Sequence, residues 1–347
     1  MIVADFEAPA GLGGDPAAYA LVGDVGGTNA RFALIDLTRD ATRLNHATNL
    51  KCADYPTPGD AIAAYLSQVG IGRWPAFAVI AAAGPVNDGQ IALTNLDWTL
   101  SEDELRARGF LSVRLINDYA AAALAAPLLD FRDAPAVGGP AAGQETETLA
   151  VLGAGTGFGV SALARDGFGE AALATEGGHV AFAPSDEVEI ELLRILSRRF
   201  GRVSVERILS GIGLCHLHEA LAMIAGTPAQ PFTDPADITR AGLDGDPAAA
   251  LTLDRFCAIL GAVAGDVALS FGAKGGVFIS GGIAPVILDH LIASDFRARF
   301  EAKGRFEDYL REIPTRVIVR PHAALLGAAD ALRRLLGTTS GRREATA

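Results

Sequence analysis

Cysteine is scarce in this chain: Cys52, Cys215 and Cys257 are the only three, far apart and odd in number. No Cys-x-x-Cys pair occurs, so neither a disulfide framework nor a zinc knuckle can be built. That usage points to a reducing compartment. Basic residues are also short, 29 Lys and Arg against 41 Asp and Glu, for a net charge of −12. An acidic surface repels phosphate backbones and anionic lipid, which argues against nucleic acid or membrane as a partner. It leaves room for a nucleotide, since backbone N–H groups and a metal ion hold a small anion locally. Long apolar runs are missing too. The best, Ala76 to Ala83, has eight residues, well short of the ~18 a membrane span needs. Ala18-Tyr19-Ala20 imitates a signal-cleavage site, but no Lys or Arg stands in the first twenty residues to flank it. The expectation is a cytoplasmic protein.

What is present is enough apolar material, half of 347 residues, for about two domains with sizeable cores. Glycine is abundant at 40 residues, about 12% against a typical ~7%, which asks where so many close backbone approaches are needed. Along the chain, β-type and α-type segments alternate. Ala20 to Val25 and Arg31 to Asp36 flank a Gly-Gly turn as a hairpin would; Thr148 to Leu152 and Gly159 to Leu163 flank another. Buried strands are expected at Ala76 to Ala82, Leu111 to Ile116, Gly276 to Ser280 and Arg316 to Val319. Helices are expected at Leu100 to Arg108, with Ser101 and Glu104 at capping-box spacing, near 187–199, 212–224 and 251–272, and at Ala323 to Leu336. The pattern is that of an α/β protein with mixed sheets. The Pro/Gly-rich stretch Asp133 to Gln144 is the best boundary or surface-loop candidate. The two strand–glycine turn–strand units, about 130 residues apart, suggest a duplicated core with a ligand in the cleft between copies.

Several motifs carry chemistry, each with an ordinary alternative. Gly26-Gly27-Thr28 and Gly155-Thr156-Gly157 can aim several N–H groups at an anion, with a threonine hydroxyl to help. Either turn alone reads as a tight hairpin; the recurrence, and Asp24 just before the first, favours phosphate. Asp24 could hold Mg²⁺ directly or through water. No GxxxxGK[ST] occurs, which excludes a Walker-A loop. Gly153 to Gly159 imitates the dinucleotide fingerprint but puts Phe158 where its third glycine belongs and leads into an apparent strand; Glu176, about 20 residues on, keeps a dehydrogenase as runner-up. Asn117-Asp118 ends a strand, where Asp118 could take a proton from a hydroxyl and Asn117 grip its neighbour, or Asp118 could simply cap the Ala-rich helix that follows. Glu176-Gly177-Gly178-His179 suits vicinal hydroxyls, or is a surface turn. Glu206 by itself reads as a helix-surface charge, and Gly281-Gly282 as a place for a flat group such as adenine, or a plain turn. His216 and His218 would point about 200° apart on a helix and cannot share one metal ion.

Taken together, GDVGGTNARFAL (23–34), LINDYAAAALA (115–125), GAGTGFGVSAL (153–163), TEGGHVAFAP (175–184), SVERILSGIGL (204–214) and VFISGGIAP (277–285) resemble the bacterial glucokinase family, in the hexokinase and actin-like ATPase superfamily. The likeness runs in order from about residue 21 to 334. FEAKGRFEDYL with PHAALLGAA is specific to it, and the clustered cysteines of the zinc-containing sugar kinases are missing. The resemblance implies two actin-like (ribonuclease H-like) α/β domains around a central cleft: a small one of residues 19–128 plus 320–337, and a large one of 129–319, with flexible tails at 1–18 and 338–347. It implies phosphorylation of the 6-hydroxyl of D-glucose by ATP with Mg²⁺, in a homodimer whose domains close on the sugar. Asp118 would be the general base. Asn117, Glu176, His179 and Glu206 would hold hydroxyls, which reverses the reading of Glu206. Gly23, Asp24, Val25, Gly26, Gly27 and Thr28, with Gly155, Thr156 and Gly157, would face phosphates, and Gly281 and Gly282 the adenosine. Two departures stand out, an N-terminal extension of about 18 residues and Ile212 where the family often has proline. A kinase of another hexose and a non-catalytic sugar sensor are the alternatives.

Overall fold

The computed structural model describes residues 18–38, 43–93, 96–167, 169–228, 232 and 234–337. In chain order they form β1 (Tyr19–Val25), β2 (Asn29–Asp36), β3 (Leu44–Lys51), α1 (Pro58–Gln68), β4 (Phe77–Ala82), β5 (Gln90–Ala92), β6 (Thr99–Ser101), α2 (Glu102–Arg108), β7 (Ser112–Asn117) and α3 (Asp118–Ala125). There follow β8 (Ala136–Gly138), β9 (Leu149–Ala154), β10 (Phe158–Arg165), β11 (Glu170–Ala174), α4 (Glu187–Phe200), α5 (Gly211–Ala225), α6 (Pro235–Leu243) and α7 (Pro247–Phe271). The chain ends with β12 (Gly276–Ser280), α8 (Leu288–Ala293), α9 (Phe296–Glu301), α10 (Glu307–Arg311), β13 (Thr315–Val317) and α11 (Ala323–Leu335). Two compact units result: residues up to Ala125 with those from His322 onward, and Ala126–Pro321. Apart from Ala18, the tails expected at 1–18 and 338–347 lie outside the described residues.

In the first unit the sheet order is β3-β2-β1-β4-β7, antiparallel across β3-β2-β1 and parallel across β1-β4-β7. Side chains alternate between the two faces of a strand, and β1 shows how both faces are used. Leu21 and Val25 pack with Phe32, Ile80 and Leu115 against Ile62 and Tyr65 of α1 and Leu105 of α2. Ala20 and Val22 turn the other way, with Ala33, Ile35 and Val79, onto Leu325, Ala328, Ala329 and Leu332 of α11. Helix α11 also lies so close to α3 that a Cβ added at Gly327 would stand 1.7 Å from the carbonyl oxygen of Ala121. Ser101 caps α2 by accepting the Glu104 N–H, as the spacing predicts, although Thr99–Ser101 is strand rather than helix.

The second unit repeats the arrangement. Its order is β11-β10-β9-β12-β13-β8, with an antiparallel three-stranded meander joined to two parallel strands, then β8 antiparallel at the edge. As the sequence suggests, the Gly153–Gly159 run leads into a strand, β10, so the dinucleotide fingerprint has no helix N-terminus to offer a pyrophosphate. The Asp133 to Gln144 stretch is not a boundary: within it β8 pairs with β13, Val137 is buried and the Thr315 hydroxyl donates to Gly138 O at 3.1 Å. Leu253, Phe256, Cys257, Ile259 and Leu260 of α7 fill the core. That helix is long and apolar enough to cross a membrane by length and composition, yet most of it is buried in the fold.

Candidate active site

In the first unit, parallel pairing of β1, β4 and β7 brings their carboxyl ends to one edge, where α/β sheets take their ligands. In register, Asp24 lies beside Ala81, and Ala82 beside Asn117, so Asp24 and Asn117 are two strands apart, roughly 10 Å at ~4.8 Å per strand. Gly23 is where that packing is tightest; a Cβ there would meet Ile80 at 3.1 Å and Phe32 at 3.2 Å. Val25 is buried beyond it, and the turn Gly26-Gly27-Thr28 is closed by the Gly26 N–H donating to Asn29 O at 2.9 Å. Cys52 braces that turn. Its N–H donates to Thr28 O at 2.9 Å and its thiol to Gly26 O at 3.5 Å.

Asp24 and Arg31 face each other across the β1–β2 ladder, and Arg31 Nη1 donates to Asp24 Oδ2 at 2.9 Å. Burial pushes the Asp24 carboxyl up, further than Arg31 and the nearby His322 draw it down. His322 leads into α11 in the left-handed region, φ 60°, with Nδ1 buried; burial and Arg31 lower its imidazole against the pull of Asp24. Among the described residues, no three His, Cys, Asp or Glu side chains gather as a resident metal site requires. A Mg²⁺ carried in with nucleotide phosphates needs only one or two carboxylates and keeps several waters. One carboxylate beside a glycine turn fits that demand.

Asn117, rather than Asp118, caps α3. Its Oδ1 accepts the Tyr119 and Ala120 N–H groups at 3.0 and 3.1 Å, and its Nδ2 donates to Gly84 O at 3.2 Å. The ordinary explanation offered for Asp118 therefore belongs to its neighbour. Asp118 is half-buried in the first turn of α3, with Oδ1 accepting the Tyr119 N–H at 2.9 Å.

In the second unit, β9 and β12 run parallel, so Gly155-Thr156-Gly157 and Gly281-Gly282 leave the sheet at one edge. The approach needs glycine. A Cβ at Gly153 would stand 1.9 Å from Ser280 O, and Gly281, at φ 88°, would bring one within 2.2 Å of Ala154 O. The 3₁₀ turn Gly177–His179 packs onto β10, where a Cβ at Gly178 would meet Phe158 O at 1.9 Å. Thr175 anchors the entry, its hydroxyl donating to Val160 O at 2.6 Å. Glu176 and His179 are exposed side by side, Oε2 to Nε2 3.9 Å. Segments 180–182 and 203–205 then pair, Phe182 N–H to Val203 O at 3.0 Å and Val205 N–H to Val180 O at 3.0 Å, while Arg202 Nη2 donates to His179 O at 2.5 Å. That ladder delivers Glu206 to the glycine turn, where its Oε2 accepts the Phe158 N–H at 2.9 Å. So Glu176, His179 and Glu206, 30 residues apart in sequence, stand on one small framework around β10.

Arg31, Cys52 and Arg202 hold these parts in place and His322 stands close to Asp24, and the sequence reading passed over all four. Only Arg31 carried a local signal, the cross-strand spacing to Asp24. His216 and His218 behave as core histidines: His216 Nδ1 lies 2.9 Å from Arg207 O, and His218 Nδ1 lies 3.0 Å from Thr252 Oγ1.

The Glucokinase family model matches residues 21–335. A glucokinase of Caulobacter sp. (strain K31) is 52% identical over 313 residues, spanning 90% of this chain and 94% of that protein. One of Caulobacter vibrioides (strain NA1000 / CB15N) is 53% identical over 316 residues, with the same 90% and 94% coverage. Among solved structures, the glucokinase from an Antarctic psychrotroph is 38% identical with a TM-score of 0.82, covering 91% of this chain and 99% of its own.

Proposed function

The chain belongs to the glucokinase family, with the actin-like sheet order in both units, and from that premise we propose that it transfers the γ-phosphoryl group of ATP to the 6-hydroxyl of D-glucose. The products are glucose 6-phosphate and ADP, and the reaction opens glucose use in glycolysis. The observation that carries the reading is 52–53% identity to the Caulobacter glucokinases over nine-tenths of the chain, with a family match over residues 21–335 that includes every residue of both constellations.

Asp118 accepts the proton of the 6-hydroxyl as the oxygen attacks phosphorus in line with the leaving ADP. Its place in the first turn of α3, with Oδ1 accepting the Tyr119 N–H, fixes the carboxylate in direction. Asn117 spends its oxygen on α3 and one N–H on Gly84, and an amide has a second N–H to offer a sugar hydroxyl. Glu176, His179 and Glu206 take the remaining hydroxyls. An epimer with one hydroxyl inverted would leave one of these groups unpaired, which costs more than the lost bond itself. Gly23 to Thr28 and Gly155 to Gly157 face the phosphates; the Gly26 and Gly155 N–H groups close their own turns, which leaves those of Gly27, Thr28, Thr156 and Gly157 to offer, and Gly281-Gly282 lies flat against the adenosine. When bound with the nucleotide, Mg²⁺ neutralises developing phosphate charge; Asp24 is the residue that would hold it, directly or through water. The protein works in the cytoplasm as a homodimer, the assembly to be tested by sedimentation.

The test is a coupled assay of sugar 6-phosphate formation with ATP and Mg²⁺ on glucose, mannose and fructose. Strong preference for glucose is expected. Preference for another hexose would move the assignment to that sugar. Sugar binding with no turnover would make the protein a sensor.

A further inference from the structure

Glu206 has a second connection that hydroxyl binding does not use. The Gly155–Gly157 turn is three residues long, two of them glycine, and its own closing bond is Gly155 N–H to Gly157 O at 2.8 Å. Two peptide groups, the first inside the turn and the one that leaves it, are held from outside by one short segment. Phe158 N–H donates to Glu206 Oε2 at 2.9 Å, and Gly211 N–H donates to Gly155 O at 2.8 Å. That segment is itself fixed: the Ser210 hydroxyl, fully buried, donates to Glu206 O at 2.8 Å and accepts the Gly213 N–H at 3.0 Å. Space is shaped to the contact, since a Cβ at Gly157 would lie 2.5 Å from Glu206 Oε2. A carboxylate so near a phosphate-facing turn repels the anion, so its presence needs a return in backbone order. Fixing a glycine-rich turn in advance removes the cost of ordering its backbone from the binding step.

We infer that Glu206 is a positioning residue for the nucleotide as well as a sugar ligand: its side chain fixes the Gly155–Gly157 turn so that the turn's N–H groups meet the phosphates. The inference rests on the kinase reading of the site. It makes one carboxylate common to both substrates, so that hexose on Glu206 and phosphates on the turn sense each other through a single side chain.

The test titrates Mg·ADP into the full-length protein without sugar, by calorimetry, for wild type, Glu206→Gln, Glu206→Asp and Glu206→Ala, with thermal melts to confirm folding. Gln keeps an oxygen at the right reach and drops the repulsion, so its ADP affinity should equal or exceed that of wild type. Asp, one methylene short, and Ala should each bind about three- to tenfold more weakly, the range for one lost hydrogen bond. All three should lose glucose affinity, so the two ligands separate cleanly at Gln. Equal or tighter ADP binding by Ala and Asp would overturn the inference, because repulsion alone would then describe Glu206. Failure of the wild type to bind Mg·ADP would instead overturn the kinase reading beneath it.

Discussion

Replacing Gly327 by alanine sets two effects of known sign against each other. In an unhindered helix interior the change stabilises by about 0.8–1 kcal/mol. At Gly327 the new Cβ would sit 1.7 Å from Ala121 O and 2.5 Å from its carbonyl carbon, where real Cβ contacts stay beyond 3.0 Å. Backbone lies on both sides, so no rotamer relieves the overlap, and α11 and α3 must part by at least ~1.3 Å. Overpacking of this kind costs typically about 1–3 kcal/mol, and with two rigid helices the upper end applies, which leaves a net loss of ~2 kcal/mol. For a domain of this size that lowers Tm by roughly 4–8 °C. The function should suffer more than the stability. Asp118 opens α3, and a displacement near 1 Å in a reacting group can cost about 10²-fold. Thermal melts and the coupled glucose assay measure both, with Gly72→Ala, whose Cβ meets nothing within 4 Å, as the neutral control. A Gly327→Ala protein as stable and as active as wild type would refute the packing argument.

Asp118→Ala should lower kcat by about 10²–10⁴ with glucose still bound, and a near-normal kcat would end its assignment as base. Glu189, 1% exposed at its side chain, accepts from Arg255 at 3.2 Å, Arg299 at 2.7 Å and the Ser185 N–H at 2.8 Å. Glu189→Ala leaves Arg255 and Arg299 with Asp186 as their shared acceptor and removes the acceptor of the Ser185 N–H, so it should cost about 1–3 kcal/mol in urea unfolding; a loss under ~0.5 kcal/mol would show the cluster to be solvated. Burial works against ionised Asp186, but the Glu189 N–H, Arg255 and Arg299 outweigh it and hold the carboxyl low. A carboxyl lowered by folding adds stability above its unfolded value near ~3.9 and loses it as pH falls through the folded value. Wild type should therefore weaken below about pH 4 more steeply than Asp186→Asn, and parallel curves would contradict this. Burial raises the thiols of Cys52 and Cys215 and pushes Cys257 up to about 12. An Ellman titration at pH 8 should find no fast thiol in the native protein and three after denaturation; a fast native thiol would contradict the buried placement.

How much was readable depended on how local the signal was. The β1 and β2 strands announced themselves because both faces of their sheet are covered, leaving near-continuous apolar runs. Strand β3, LNHATNLK, did not: it is an edge strand of half-exposed residues without alternation, and β11 is more exposed still. The cap of α3 was placed one residue late, because Asn and Asp are equally good caps and only the backbone decides which side chain bends back. Glu206 looked like a surface charge since its partner, Phe158, lies 48 positions away, and no helical or strand period links them. The resemblance supplied its role where local reasoning could not. The glycine excess was the most faithful signal, for Gly153, Gly178, Gly281 and Gly327 each occupy a place where backbone oxygen leaves no room for a Cβ.

The return of the chain at α11 has a consequence for how the protein is made. The face of the first sheet bearing Ala20, Val22, Ala33, Ile35 and Val79 is complete once α3 has left the ribosome, but its cover is nearly 200 residues away. At about 5–20 residues per second that is a wait of roughly 10–40 s. The uninterrupted second unit can fold in the meantime, so the half synthesised first is the half finished last. Until α11 is made, the nascent chain carries a bare apolar sheet, the kind of surface that chaperones hold and aggregates recruit.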